Sequence, residues 1–507
     1  MPELKRIWPP SVAEFQELAT EFNVIPVSAR LLADAETPLT IFHKLVGTGE
    51  GFLLESVEQG QRWSRFSFVG RSNLGTLRLD DSGLTGSGVL STYSIDPEGG
   101  IFTNLELIVD SLNVAAHKAH PPLTSGFVGY LGYDTVRELE QLAKPKADDR
   151  NLPIAEMSLI GEICAFDHFE QSLTLIKNVV LSGSEPPDLL GEIYNAAVVG
   201  LDEMAQSISD RNGPELVEFP IRTSSLPEFT RTFSPAEYMG AVEVAKEFIA
   251  SGDVFQVVIS QRFDFKLKVP AFELYRALRV ANPSPYMYFV RTESVEVVGS
   301  SPEALVKLDH GRVTTRPIAG TRPRGANEFE DARLAAELGE NPKEIAEHIM
   351  LVDLARNDVG RVAVFGTEKV DELMTIEKYS SVIHMTSQVS STLKEGLGPF
   401  DVLKATIPAG TVSGSPKVRA MEIIDELEKT RRGPYAGVVG YIDLAGNLDV
   451  AIAIRTLFVD RESNAYMQAG AGIVADSDPK SEDEECLNKA KSILSVVASA
   501  EVAFSKK

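Results

Sequence analysis

Cysteine is almost absent: Cys164 and Cys486 are the only two in 507 residues. A disulfide framework is therefore not expected, and a reducing compartment is. The two cysteines form no CxxC and the seven histidines form no HExxH, which argues against a zinc site. No window approaches ~18 consecutive apolar residues, so no transmembrane helix is expected. The opening MPELKRIWPPSVAEFQEL has no apolar run of signal-peptide type and resembles no transit peptide, so the expected location is cytoplasmic. Glycine-rich nucleotide signatures are missing too. There is no Walker A Gly-Lys-Ser/Thr, and no GxGxxG in a strand-to-helix context. Positive charge is in short supply. With 49 Lys and Arg against 73 Asp and Glu, the formal net charge is −24. That excess argues against binding nucleic acid or an anionic membrane, and an anionic substrate would need local cations to enter.

What is present is an ordinary globular composition, long enough for two to four domain-sized units. The polar, proline-broken stretch SISDRNGPELVEFPIRTSSLPEF (207–229) reads as a linker between an N-terminal region (1–206) and a second region (230–507). FLLESV (52–57), RFSFVG (65–70), GTLRLD (75–80) and LTLIKNVVL (173–181) read as strands, and LELIVDSLNVAAHKA (105–119) as a helix. After the linker, Ser234, Pro235 and Glu237 mark a helix start. VFQVVISQRFDFKL (254–267), SVIHMTSQVSSTL (381–393), AGVVGYIDLAGNLDVAIAIRTLFV (436–459) and AYMQAGAGIV (465–474) read as strands, and 295–315 as a hairpin. Clustered strands with helices between them predict an α+β fold with largely antiparallel sheets. The lack of regular βαβ alternation excludes a Rossmann or barrel reading.

Two helix starts carry unusual acid. In NPKEIAEHIMLVDLARNDVGR (341–361), Asn341 suits an N-cap, Pro342 the first helical position, and Ile345, Ile349 and Val352 the buried face. Glu344 then either closes a capping box or joins Glu347 in a site, and Glu347 is otherwise a solvated surface residue. In DPKSEDEECLNKAKSIL (478–494), Asp478 is the N-cap, and Glu482, Glu485 and Lys489 share one stripe. These acids either complement the helix dipole and pair Glu485 with Lys489, or they face the first pair. Two facing Glu-x-x-Glu pairs would make a cage of hard oxygens suited to Mg²⁺, which would cancel their repulsion and leave room for an anionic ligand.

Three glycine-bearing turns accompany them. PIAGTRPRG (317–325) holds Gly320 and Thr321, PAGTVSGSPK (408–417) has Ser415 as N-cap of a following helix, and QAGAGIVADSDPK (468–480) holds Gly470 and Gly472. Each is either a plain turn or a close backbone approach to a carboxylate. Arg455 sits inside the apolar AIAIRT, where it needs an anion: a salt-bridge partner or a ligand. Tyr435, in RGPYAG, either hydrogen-bonds a ligand or fills the core.

These segments, together with GDVFQVVISQRF (252–263) and GSSPEALV (299–306), resemble the chorismate-utilising enzymes, and within them the anthranilate-forming branch. The resemblance covers about 234–500 strongly, while LLES (53–56) and NPSPYM (282–287) extend it into less distinctive ground. It implies a layered sandwich of antiparallel sheets flanked by helices. It implies Mg²⁺ held by Glu347 and Glu485 with Glu344 and Glu482 in support. Gly320, Thr321, Thr411, Tyr435, Arg455, Gly470, Ala471, Gly472 and Lys489 match positions that contact chorismate. Glu303 matches the acid that protonates the departing C4 hydroxyl, a step chemistry requires because hydroxide is a poor leaving group. On sequence alone Glu303 reads as a helix-start glutamate after Ser-Pro, and a lone strand histidine such as His384 as structural. The family match places His384 at the site, in proton transfer or elimination.

Two positions separate the branches. Where water-adding members carry a lysine base, this chain has Gln256. Where aminodeoxychorismate synthases read PIKGT, with a lysine that can attack the ring, it has Ala319. The implied reaction is ammonia attack at C2 of chorismate followed by loss of pyruvate, giving anthranilate for tryptophan biosynthesis. The alternatives are aminodeoxychorismate formation or a catalytically silent tryptophan-sensing subunit. Neither cysteine sits in a glycine-rich elbow, so glutaminase activity is expected from a separate amidotransferase subunit in a hetero-oligomer. By the same resemblance, Glu55, Ser56, Pro285, Tyr286 and Met287 would line an inhibitory site for L-tryptophan, which makes 1–206 a region with regulatory elements and 230–507 the catalytic region.

Overall fold

The computed structural model describes residues 4, 7–56, 65–210, 213–214, 216–220, 225–379 and 382–504, with backbone alone at residue 72. Val57, Ser381 and parts of the 207–229 stretch therefore lie outside the described residues.

The strand Ala155–Asp167 is buried along all 13 residues, which accounts for its near-continuous apolar run. Its neighbour on one side is the long strand Phe66–Asp80. On its other side the early residues pair with Gly126–Leu131 and the later ones with Ser172–Val180, so the sheet forks there. One branch continues antiparallel from Phe66–Asp80 through Gly51–Glu55, Tyr286–Arg291, Val295–Ser301, Thr456–Asp460 and Asn464–Ile473 to Gln256–Lys266. The other runs from Gly126–Leu131 through Val438–Asp443, Leu448–Ile452, Ala304–Asp309 and Arg312–Thr315 to Val382–Thr392, which also pairs with Ile318–Pro323. The α+β, antiparallel expectation holds. The stretch 207–229 divides the sequence but not the sheets. Strands from before it pair with strands after it in both branches, Glu55 opposite Met287 and Val128 opposite Tyr441.

Four helices position the site: α1 (Ala271–Ala281), α2 (Pro342–Gly360), α3 (Lys417–Leu427) and α4 (Pro479–Phe504). In α4 the acidic first turn precedes a buried stripe of Cys486, Ala490, Ile493, Val497 and Ala500, at helical spacing. Each large aliphatic on it contributes roughly 1.5–3 kcal/mol, so packing anchors the helix and leaves its start free for chemistry. Asn341 caps α2 through Oδ1, which accepts from the backbone N–H groups of Lys343 and Glu344.

Several local expectations are corrected. The strands read at 65–70 and 75–80 are one strand, Phe66–Asp80. The helix read at 105–119 is Gly100–Ser111, and Asn113 beyond it is tied to Asn23 instead, its N–H donating to Oδ1 at 2.6 Å. The 295–315 hairpin is three strands; Val295–Ser301 and Ala304–Asp309 separate at Pro302 and join different branches. Ser415 does not cap α3. Its backbone pairs with Gln256, and the helix begins at Lys417. The buried face of α2 is His348, Leu351, Val352 and Ala355, because the sheet lies under that side; Ile349 is 46% exposed.

Beneath the second region lies a buried ion pair. Glu428 Oε1 accepts from Arg432 Nη2 at 2.6 Å and from the Ser260 N–H and hydroxyl at 2.8 and 2.7 Å. Arg432 also donates to the Val412 and Val258 carbonyls at 2.6 and 2.8 Å. Removing one charge leaves the other buried without its partner. Glu428→Gln should lower unfolding free energy by about 3–5 kcal/mol. Glu422→Gln, in a partly exposed pair with Arg419, should cost less than about 1 kcal/mol. Urea unfolding of the two variants measures the contrast.

Candidate active site

Glu303 follows the turn after Val295–Ser301 and is 7% exposed. Burial pushes its carboxyl up to about 8, against the opposing pulls of the Thr411 hydroxyl and then the Arg455 guanidinium. The Thr411 Oγ1 stands near enough to oppose the rise yet makes no hydrogen bond of good geometry. At neutral pH Glu303 thus keeps its proton, the state a general acid requires. The helix start that its sequence suggested is absent, since Ala304 begins a strand.

Arg455 has left-handed backbone, φ 49°, uncommon outside glycine. The conformation turns the chain between Leu448–Ile452 and Thr456–Asp460. No acid among the described residues forms an ion pair with its guanidinium, and Glu303 is the acid near enough to act on it. The salt-bridge reading of Arg455 fails for that reason. A fork of donors without an anion is left beside the acid.

His384, on Val382–Thr392, completes this group. Its Nδ1 lies 3.2 Å from the Gly320 carbonyl and 3.0 Å from Thr321 Oγ1. A carbonyl only accepts, so Nδ1 carries the hydrogen and Nε2 the lone pair. Burial, and then the Arg455 charge, hold the ring down to about 4, so it is neutral at pH 7. Nε2 is buried and unpartnered, a base facing the same charge as Glu303.

Gly320 joins this cluster to the acidic helices. Its φ is +64°, and a Cβ there would lie 2.7 Å from Leu338 Cδ1 and 2.9 Å from Glu344 Oε2. Glu344 accepts from Arg322 Nη1 at 2.8 Å, so it does not close the capping box. Glu347 is pushed up by burial and then by the charges of Glu344 and Glu485. Glu482 is pushed up by burial and, past the opposing Ser477 hydroxyl, by Glu485. Lys343 acts on both Glu347 and Glu482, so the starts of α2 and α4 face each other. Lys489 bonds Glu485 at 2.7 Å and the Gly470 carbonyl at 2.8 Å. Among the described residues no three acids, histidines or cysteines close into a ready metal cluster. The carboxylates repel across a gap that Lys343 and Lys489 only partly neutralise.

Gly470 and Gly472 lie on Asn464–Ile473 opposite Ser260 and Val258. A Cβ on Gly472 would meet Gln256 Nε2 at 2.4 Å, so the bare backbone leaves Gln256 its place. Ala471 points the other way, into a core with Tyr238, Val257 and Cys486; only its backbone can serve a ligand. Tyr435 is buried, near Ser260 and the Arg432 cation, whose charge centre is 5.6 Å from its ring.

Of the residues read as regulatory, Glu55 and Met287 are cross-strand partners. Glu55 pairs in register with Met287, and its carboxylate accepts from Tyr275 Oη at 2.7 Å and Arg279 Nε at 2.9 Å, both on α1. Met287 and Pro285 are buried, Ser56 is half-buried, and Tyr286 donates to Asp449 at 2.9 Å. Sequence reasoning missed Arg322, Lys343 and Arg279. Arg322 and Arg279 are ordinary surface-type cations whose partners, Glu344 and Glu55, lie elsewhere in the chain, while Lys343 acts on Glu347 one turn away and on Glu482 from another helix.

A model of the chorismate binding enzyme family matches residues 86–495. The chain is 44% identical over 495 residues to anthranilate synthase component 1 of Mycolicibacterium smegmatis, covering 96% of this chain and 93% of that protein. Its structure is similar to that of anthranilate synthase component I from Streptococcus pneumoniae TIGR4, with a TM-score of 0.75, 34% identity, and 92% and 98% of the two chains covered. The menaquinone-specific isochorismate synthase of Escherichia coli, at 17% identity and a TM-score of 0.70 over 96% and 99% of the chains, shares the fold. With a family match over most of its length and that identity from end to end, the chain belongs to the chorismate binding enzyme family.

Proposed function

We propose that this chain converts chorismate and ammonia to anthranilate and pyruvate, in a Mg²⁺-dependent reaction serving tryptophan biosynthesis. The observation that carries the reading is a carboxyl held protonated beside an unpaired guanidinium: Glu303 with Arg455. Arg455 offers a fork to a substrate carboxylate. Glu303 gives its proton to the C4 oxygen, which leaves as water while ammonia bonds to C2. Neutral His384 then offers Nε2 as an acceptor for a ring proton as pyruvate departs. Gln256 cannot act as a lysine base toward water, and Ala319 cannot attack the ring, which supports ammonia as the nucleophile.

The four carboxylates suit Mg²⁺ by donor chemistry, and the mutual repulsion at Glu347 and Glu482 is what a divalent cation relieves. Glu347 and Glu485 would hold the ion, with Glu344 and Glu482 behind them. When bound, the ion supplies positive charge against which the ring carboxylate of chorismate is held. Glu485 is half exposed and bonded to Lys489, so a cation competes with Lys489 for it.

Ammonia is expected from a partner amidotransferase subunit. Burial raises both thiols here, Cys486 to about 12, so neither is a nucleophile at neutral pH. L-tryptophan inhibition is supported by placement. Tyr286 pairs with Ser301, two residues before Glu303, so a ligand at the Glu55–Met287 contact shares a strand pair with the general acid.

The deciding assay is purified chain with chorismate, Mg²⁺ and an ammonium salt. Fluorescent anthranilate with equimolar pyruvate is expected, slowed by L-tryptophan. A product retaining its enolpyruvyl group would favour aminodeoxychorismate formation, and none from folded protein would defeat the enzyme reading. Glu485→Gln should abolish turnover and weaken Mg²⁺ binding by calorimetry while leaving the unfolding midpoint near wild type, since its pair with Lys489 is exposed.

The pH profile tests Glu303. The acid is active when protonated, so activity is lost as pH rises through its folded value. At constant free NH3, kcat/KM should be flat below about 8 and fall about tenfold per unit above it. In Glu303→Gln that limb should vanish along with most of the rate. A limb that survives the substitution assigns it to another group.

A further inference from the structure

Beside Glu303, with neither Arg455 nor the four glutamates of the helix starts in its wall, lies a cavity of about 40 Å³. Its wall includes Glu303, Thr411, Thr406 and, from α2, Leu354, Ala355 and Asp358. Glu303 and Thr411 are the only candidate site residues that touch it; Gly320, Tyr435, Gly470 and Lys489 do not. It has room for about two or three water molecules. Water there needs polar partners, and the wall supplies them. Thr411 Oγ1 is buried and unpartnered. The Thr406 hydroxyl donates to the Val402 carbonyl at 2.8 Å and so keeps a lone pair free. Asp358 accepts from Lys417 Nζ at 2.9 Å, and that Nζ also reaches the Thr406 carbonyl at 3.2 Å. The Lys417 side chain remains 13% exposed and touches solvent.

A general acid that works once per turnover must be reloaded. This cavity borders Glu303 without touching Arg455 or His384. We propose that the cavity is a proton-return path, in which water held between Thr411 and Asp358 reprotonates Glu303 and the Asp358–Lys417 pair draws the replacement proton from solvent. The inference rests on the reading of Glu303 as general acid. In the forward step the Glu303 O–H bond breaks and an O–H forms on the departing C4 oxygen, which leaves as water. In the return step Lys417 Nζ passes a proton to the Asp358 carboxylate that accepts from it, Asp358 passes one to a cavity water, and that water gives one to the Glu303 carboxylate. Lys417 is resupplied by solvent. The proton shed by the newly bonded ammonia goes to solvent, so one turnover consumes no net proton.

Burial raises Asp358 and lowers Lys417, which narrows the gap between them and eases transfer within the pair. Arg361 faces both groups and Glu140 faces Lys417 from outside α2, so the pair is not isolated from charge.

The test separates the first turnover from later ones in the full chain with chorismate, Mg²⁺ and constant ammonium. Ala355→Leu fills the cavity, and Asp358→Asn keeps its shape while removing the acid. Both should consume one chorismate per site at a rate within about twofold of wild type. Both should then fall to a steady state at least about tenfold slower, with KM for chorismate unchanged. This burst is the signature of reloading. A parallel loss of first-turnover and steady-state rates in whichever variant folds, or no loss in either, overturns the path. Glu303→Gln is the separate control. If it consumes its first chorismate at the wild-type rate, the general-acid reading itself fails, whatever the cavity variants do.

Discussion

Burial of Glu303 away from bulk solvent is the constraint on which this site depends. A carboxyl in solvent would ionise well below neutral pH and have no proton to give. Here the strand order buries it, and the one nearby guanidinium, itself desolvated, does not pull hard enough to ionise it. The same burial keeps His384 neutral, beside an Arg455 guanidinium that has no ion-pair partner among the described residues. The protonation states of Glu303 and His384 thus share one physical cause.

That burial is produced by interleaving. Glu303 sits between two strands that belong to different branches of the sheet, and Arg455 sits at the matching turn between Leu448–Ile452 and Thr456–Asp460. Both branches pass through strands contributed before residue 207. The turn that carries Glu303 therefore rests on sheets to which both regions of the chain contribute, and a disturbance at Gly51–Glu55 meets Tyr286–Arg291 directly. A regulatory ligand there would need no long conduit, only a change in one strand pair.

Much of this was legible from sequence. The caps at Asn341 and Asp478 are local chemistry, one side chain satisfying N–H groups two or three residues on, and the structure has both. The paired acids after them were readable as a like-charge conflict, because helical spacing alone puts them on one face. The antiparallel α+β class followed from strand clustering. Boundaries that depend on distant partners were not legible. Ser415 looks like a cap until Gln256 takes its backbone, and Ile349 looks buried until the sheet is seen to lie under His348. The core-facing side of Ala471 needed the register against Ile259.

The amino-acid sequence by itself determined which chemistry is affordable: glutamates at two helix starts, glutamine at 256 and alanine at 319 where lysines would open other routes, and no thiol in a nucleophile's setting. These are choices of functional group, and a functional group is written in the residue type. Only the tertiary structure decided which of those groups is charged. Protonation depends on burial and the charges within a few ångströms, and at Glu303 and His384 those neighbours come from segments far away in the chain, while Glu347 feels Glu344 on its own helix and Glu485 on another.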